Sequence, residues 1–303
     1  MAIATYSDLQ TAIANYLARP GDALVSTPAP DFVTLAESRI AYGGDLPYAC
    51  RPLRIRAMEA VATLITGPAA TGGTSTGSAN AQIAAPVPAP ANAPGNVVDF
   101  VAGFSNTGAA TFDAGGGPLA IKKGVPQADV AAGDIVAGGG YELYCDGTAW
   151  NLVPEGGVPL PAGYLEMRSI YLQTSPPSKL SPVAPETIDS TWMSASPDQP
   201  AVYALDGDCI RFAPPADSSY AVRMGFYRKF GPLASAPNWL MTNKPDVYLY
   251  GALLEAAIYF GNEEDAQKFY GVYCSAVNGL QAANATDRYS GGALQMRSNV
   301  AGA

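Results

Sequence analysis

The sequence predicts an α+β protein: a helical-bundle frame with a small antiparallel β part, interrupted by an inserted β-sandwich-like domain. Three observations carry this reading. Apolar residues recur at helical spacing near both ends of the 303-residue chain, the period falls to two between residues 96 and 153, and an uncharged stretch rich in Gly, Pro and Ala separates the two patterns.

The first helix is expected over Tyr6 to Ala18, with Leu9, Ala12, Ile13, Tyr16 and Leu17 on one face and Ser7 and Gln10 at capping-box spacing. Arg19-Pro20-Gly21 ends it. A second helix starts at Pro30-Asp31, carries Phe32, Leu35, Ala36 and Ile40 at helical spacing, and closes at Gly43-Gly44. Pro52 to Thr66 reads equally as strand or helix, because Leu53, Ile55, Ala57 and Val61 interleave with Arg54, Arg56 and Glu59. After Glu59 the next charge is Asp99. Within that gap residues 67–95 are almost wholly Gly, Pro, Ala, Ser, Thr and Asn and include Pro86-Val87-Pro88-Ala89-Pro90. Too few large side chains stand there to offset the entropy of ordering, so a semi-extended linker is expected.

From residue 96 to 157 an inserted β domain is expected: Val98, Phe100, Ala102 and Phe104 alternate with smaller or polar residues, as do Tyr141, Leu143 and Cys145. Asp146-Gly147 marks a hairpin whose central positions favour positive φ. Glu155 to Pro161 leads back to the frame over 158–303, which completes the one begun in 1–66. It opens with a strand at Tyr164 to Leu172, a turn at Ser175-Pro176-Pro177 and a short helix at Pro185 to Met193. Strands follow at Ala201 to Ala204 and Cys209 to Phe212, joined by Asp206-Gly207, and at Ala221 to Tyr227.

The last two helices carry the clearest pattern. Pro245 to Phe260 has only Asp246 and Glu255 as charges, and Val247, Leu249, Leu253, Leu254, Ala257, Ile258 and Phe260 surround it. A helix apolar on every side must be buried on every side, and this one is too short to span a bilayer. Glu255 therefore needs a cationic partner, with Arg39 and Arg56 the candidates. Gly261 breaks the helix. Asn262 then caps a final amphipathic helix through Ala266, Phe269, Tyr270, Tyr273, Val277 and Leu280, whose acidic first turn of Glu263, Glu264 and Asp265 complements the helix dipole. Beyond Arg288 the tail is small, polar and expected to move unless a neighbour holds it.

Composition sets the function classes. With 48% apolar residues the chain can bury a sizeable core, while its charged fraction of 14% lies below the roughly 25% of ordinary domains, and Gly (32) and Pro (26) are raised. Such a surface suits a subunit that buries itself against copies or partners. A net charge of −9 argues against a broad nucleic-acid grip, although an acidic surface could line a passage through which DNA slides. The N-terminus reads as an amphipathic helix and not a secretory signal, and no apolar run of about 18 residues exists, so a soluble intracellular product with no membrane partner is expected. Cys50, Cys145, Cys209 and Cys274 form no C-x-x-C pair, and histidine is absent, which removes imidazole triads and the usual zinc cages; buried free thiols are expected.

The remaining chemical signals read as structure. Asp206 and Asp208 flank a turn, as a carboxylate pair or a Ca²⁺ site would, but Asp-Gly is the ordinary choice for a hairpin. Gly115 to Gly117 and Gly138 to Gly140 lack the Lys-Ser/Thr of a phosphate loop and the spacing of a dinucleotide fingerprint. Arg51, Arg54 and Arg56 form the densest basic cluster, a solvated face or a partner-facing one.

The ordered segments Tyr6-Ser7-Asp8-Leu9-Gln10, Asp31-Phe32-Val33-Thr34-Leu35-Ala36-Glu37 and Leu53-Arg54-Ile55-Arg56-Ala57-Met58-Glu59 resemble the start of head-to-tail adaptor (connector) proteins of tailed bacteriophages. The resemblance continues through Leu160-Pro161-Ala162-Gly163-Tyr164, Leu205-Asp206-Gly207-Asp208, Asn238-Trp239-Leu240-Met241-Thr242-Asn243, Pro245 to Ala257 and Arg288-Tyr289-Ser290-Gly291-Gly292. It implies a structural virion protein without enzymatic activity, cofactor or metal. Such proteins form a ring, usually twelve-fold, beneath the portal protein, help close the DNA exit channel and seat the tail. The implied partners are further copies, the portal, tail nozzle or fibre proteins, and genomic DNA passing unspecifically through the lumen. The implied location is the head–tail junction of a virion made in the host cytoplasm. Candidate subunit or portal contacts are Arg54, Arg56, Leu253, Leu254, Glu255, Arg288, Tyr289, Met296 and Arg297. The sequence departs from the family pattern over 67–157, where Val97-Val98-Asp99-Phe100 and Tyr144-Cys145-Asp146-Gly147 resemble a small β module of phage tail and fibre proteins. An alternative is therefore a tail or fibre-associated protein that recognises a receptor or glycan through this module, with Trp150, Tyr141 and Tyr144 as stacking faces.

Overall fold

The computed structural model describes residues 3–17, 21–86, 89–154, 157–192 and 195–289. The protein is α+β and divides into two compact units, one formed by Met1–Glu59 with Lys229–Ala303, the other by Ala60–Arg228. The observed divisions thus fall at 59/60 and 228/229, where the sequence suggested breaks at 66, 95 and 157.

The first unit is helical: α1 (Tyr6–Tyr16), α2 (Ala23–Ser26), α3 (Ala29–Tyr42), α5 (Trp239–Asn243), α6 (Pro245–Tyr259) and α7 (Glu263–Tyr289), with α4 (Pro185–Thr191) belonging to the other unit. The capping box of α1 lies two residues earlier than Ser7 and Gln10 suggest. Thr5 is extended, its hydroxyl accepts from the Asp8 N–H at 3.1 Å, and the Asp8 carboxylate accepts from the Thr5 N–H at 2.9 Å. The expected stop at Arg19-Pro20 lies outside the described residues. Helix α3 ends at Gly43, whose φ of +89° and whose approach to the Cys50 carbonyl, 2.7 Å from where a Cβ would sit, both require glycine.

Helix α6 is the centre of this unit and packs against α1, α3, α5 and α7. Its residues Val247, Tyr248, Leu249, Ala252, Leu253, Leu254, Ala256 and Ala257 are buried, as its all-round apolar pattern requires; Ile258 and Tyr259, in its last turn, are exposed. Gly251 marks the closest approach, since a Cβ there would lie 3.1 Å from the Ala36 Cβ and 3.3 Å from the Tyr273 ring.

The second unit holds the strands. β1 (Glu59–Thr66) settles the ambiguous Pro52 to Thr66 segment as strand preceded by a single 3-10 turn at Arg56–Met58. β2 (Ala69–Thr74), β3 (Thr76–Ser78), β4 (Ala81–Ile83), β5 (Val97–Val101), β6 (Thr111–Asp113), β7 (Leu119–Lys123), β8 (Ala128–Asp129), β9 (Gly140–Cys145) and β10 (Trp150–Val153) form one sheet in the order β2-β5-β9-β10-β7-β6-β4-β3, with β8 on β7. β11 (Gly157–Pro159), β14 (Ser181–Pro182), β15 (Val202–Asp206) and β16 (Cys209–Ala213) form a second, and β12 (Tyr164–Leu172), β13 (Ser178–Lys179) and β17 (Tyr220–Arg228) join β1 in a third.

Two expectations are corrected here. Residues 67–95 are not a free linker: β2 runs parallel to β5, and β3 and β4 form a hairpin that continues into β6. Backbone pairing orders a chain that has little side chain to bury. The buried Gln82 anchors it, bonding the Ser75 hydroxyl and donating to the Phe104 carbonyl at 2.8 Å. Val87 and Pro88 of the proline run lie outside the described residues. The β part is also mixed, because β2–β5, β4–β6, β7–β10 and β14–β15 are parallel pairs.

The period-two pattern does place the core. Val98, Phe100, Phe112, Ile121, Leu143, Cys145 and Trp150 share one cluster, while the alternate residues Val97, Tyr144 and Val153 point the other way and join Ile170, Phe212, Val222 and Met224 in a second. Residues of the 96–157 segment therefore share a core with strands on either side of it in sequence.

Candidate assembly surfaces

The carboxylate of Glu255 finds Arg39, one of its two proposed partners: Nε donates to Oε1 at 2.6 Å and Nη2 lies at 2.6 Å from the same oxygen, with both side chains nearly covered. The same guanidinium donates through Nη1 to the Tyr48 carbonyl at 3.0 Å. One buried cation thus ties α6, α3 and the turn after α3 together. Arg56, the other candidate, pairs with Asp287 at 3.1 Å.

That contact belongs to a seam. The segment 52–59 is stitched to the last turns of α7 by the Gln281 amide donating to the Pro52 carbonyl, by the Arg56 N–H donating to Asn284, both at 2.8 Å, and by Arg288 on Glu59. Arg54 turns inward and donates to the Ala41 and Leu53 carbonyls at 2.9 and 2.8 Å. Of the basic cluster, Arg54 is thus committed to internal structure, while Arg51 and Arg56 stay exposed, Arg56 on its ion pair with Asp287.

Leu253 and Leu254 are 0% exposed and covered by their own chain, which corrects their assignment to a subunit surface. Glu255 is likewise committed to Arg39. Met296 and Arg297 lie outside the described residues, and Tyr289 closes α7. What the helical unit does present are large apolar side chains that sequence reasoning placed in its core or left aside. Tyr16, Leu24, Leu35, Tyr42, Leu46, Trp239 and Tyr259 are all more than 40% exposed. Tyr16, Tyr250, Phe260 and Phe269 converge on a groove of about 430 Å³, with Lys268 and Asp265 at its rim. Along α7, Gly271, Ser275, Gly279 and Ala283 repeat every fourth residue beside a shallow cleft of about 540 Å³. Amphipathic periodicity points to the buried face of a helix and says little about which apolar residues spill over its edge, so these surfaces left no readable signal.

The β unit also holds a polar cavity. Asp99 and Glu142 stand directly opposite each other on β5 and β9, beside a cavity of about 250 Å³ lined also by Ile188, Trp192, Arg211 and Phe212. Burial holds the Asp99 carboxyl above its ordinary value, and its hydrogen bond with Glu142 offsets only part of that rise. Arg211, almost fully buried, bridges Asp189 at 2.8 Å and Asp206 at 3.3 Å. Asp206 of the expected hairpin is therefore a partner of Arg211. Glu263, Glu264 and Asp265 sit in the first turn of α7, as helix-dipole compensation requires. Among the described residues no group of three or more His, Cys, Asp or Glu is placed to hold a metal ion, and no described helix is long and apolar enough to cross a membrane.

The proposed stacking faces are corrected too. Trp150 is 0% exposed and packs edge-on to Phe112 at 5.5 Å, Tyr144 is buried, and Tyr141 uses its hydroxyl to accept from the Val136 N–H at 2.8 Å. Of the four cysteines, Cys145 and Cys209 are buried, while Cys50 and Cys274 are partly exposed.

A chain that ties its charged groups to its own segments and leaves apolar edges uncovered has the character of a scaffold protein. Residues 134–297 match the family described as SU10 adaptor protein, over half of the chain, and the protein belongs to this family of phage adaptor-type structural proteins. The match begins ahead of β9 and takes in all later elements. No curated protein matches the chain.

Proposed function

We propose that the protein is a head-to-tail adaptor that forms a ring, twelve-fold by resemblance, between the portal and the tail of a phage virion. It acts without catalysis, and the ring helps close the DNA exit channel. The observation that carries this reading is the family match over residues 134–297. The exposed side chains of Tyr16, Tyr42, Trp239 and Tyr259 support it, because uncovered aromatics on a charge-poor helical unit suit burial against copies. The small-residue row on α7 would let a second helix approach closely. Residues 67–157 are an insertion into the adaptor frame that faces tail or fibre components.

The test is to mix the purified chain with portal rings and image the complex. A closed ring of density beneath the portal is expected. A chain that stays monomeric and leaves the portal bare, or that localises to a distal fibre tip in the virion, refutes the reading.

A further inference from the structure

Two of the four cysteines, remote in sequence, are brought together. The turn Gly44 to Cys50 is closed by a bridge in which the Gly44 N–H donates to the Cys50 carbonyl at 3.0 Å. This turn is pinned to α7 by Tyr270, whose hydroxyl donates to the Ala49 carbonyl at 2.6 Å and whose ring meets Tyr48 at 5.6 Å. Cys274 lies one helical turn beyond Tyr270 on the same face of α7, and Cys50 follows Ala49 directly. The pinned turn accordingly makes the two thiols close neighbours, and both are partly exposed.

We propose that Cys50 and Cys274 are a dithiol site that a disulfide oxidant such as oxidised glutathione converts to an intramolecular disulfide, while Cys145 and Cys209 stay reduced. One thiolate attacks a glutathione sulfur, forming a mixed disulfide and expelling one glutathione thiol. The other thiol then gives its proton to solvent and attacks the protein sulfur, expelling the second glutathione. Two protein thiols lose two electrons and two protons, and one oxidised glutathione becomes two reduced ones. The bond fastens the turn after α3 to the middle of α7 and encloses everything between residues 50 and 274, the whole Ala60–Arg228 unit included. Burial and the neighbouring Cys274 push Cys50 up to about 12 against the lowering effect of Arg39, so attack by its thiolate speeds up as pH rises. Its chemistry suits a protein made in a reducing compartment and later held in an oxidising one.

The test uses the full chain, incubated with oxidised glutathione at mildly alkaline pH. Thiols are counted after denaturation, and peptides are mapped by mass spectrometry without reduction. Expected are the loss of two thiols, a single link between the peptides carrying Cys50 and Cys274, and a thermal midpoint about 5–10 °C higher that a reductant reverses. Cys274→Ser should instead accumulate a glutathione adduct on Cys50 with no rise in midpoint. Four titratable thiols after prolonged oxidation, stable single adducts in the parent protein, or links formed only between chains would each overturn the proposal.

Discussion

Removing the Glu255 carboxylate should be the most damaging single change to a charged group in the helical unit. In E255A the Arg39 guanidinium keeps, among the described residues, the Tyr48 carbonyl as acceptor, in a site where both side chains are about nine-tenths covered. An orphaned buried charge of this kind costs about 3–5 kcal/mol. At ~2–4 °C per kcal/mol for a chain of this size, the midpoint of helix unfolding should fall by roughly 6–20 °C. The informative comparison is the double variant R39M/E255L, which fills similar volume without charge and should recover to within about 1–2 kcal/mol of the parent. Thermal unfolding followed by helix ellipticity reads both variants. A double variant as unstable as E255A would show that the loss comes from packing around α6 and not from an uncompensated charge, and the electrostatic argument would fall.

Two further outcomes concern the β unit. Trp150→Ala should unfold the core of the nine-stranded sheet at a cost of about 3–5 kcal/mol, whereas Trp150→Phe should cost under about 1.5 kcal/mol, because the indole N–H has no hydrogen-bond partner among the described residues; limited proteolysis distinguishes them, and tolerance of alanine would contradict the core assignment. Burial raises the Asp146 carboxyl, but bonds from Gln127, Thr148, Ala149 and Asn151 outweigh it and bring the group down to about 2. With the folded value below the unfolded one, the stabilisation is present above the ordinary carboxylate range and lost as pH falls toward 2, about 1 kcal/mol after allowance for solvent screening. Asp146→Asn should be weakened at neutral pH and should lack that acid-dependent component in denaturant titrations; an unchanged pH profile would count against the hydrogen-bond account.

Legibility varied with the kind of signal. The longer strands and helices of the later frame were readable to within about two residues, since Tyr164–Leu172 and Pro245–Tyr259 rest on period and on proline and glycine punctuation, whereas β13, β14 and α5 are too short to show a period. The Glu255–Arg39 pair was readable because a lone carboxylate on an apolar helix has few affordable solutions. The strands β2, β3 and β4 were not, because their order comes from backbone hydrogen bonds and one buried glutamine, and composition reports only side chains. Helix α2 is a single turn hung on the Asp22 cap, too short to show a period. Trp150 was offered as a stacking face although it alternates in step with Ile121 and Leu143; the strand period already assigned it inward. The meeting of Cys50 with Cys274 depends on tertiary packing alone, and no spacing rule could have found it.

Glu59 closes the seam with Arg288 and is also the first residue of β1. A pull on the last turn of α7 would therefore pass to Arg56 and Glu59 through the ion pairs of Asp287 and Arg288 without first stretching α6. The seam thus fastens the last turn of α7 to the residue at which β1 begins.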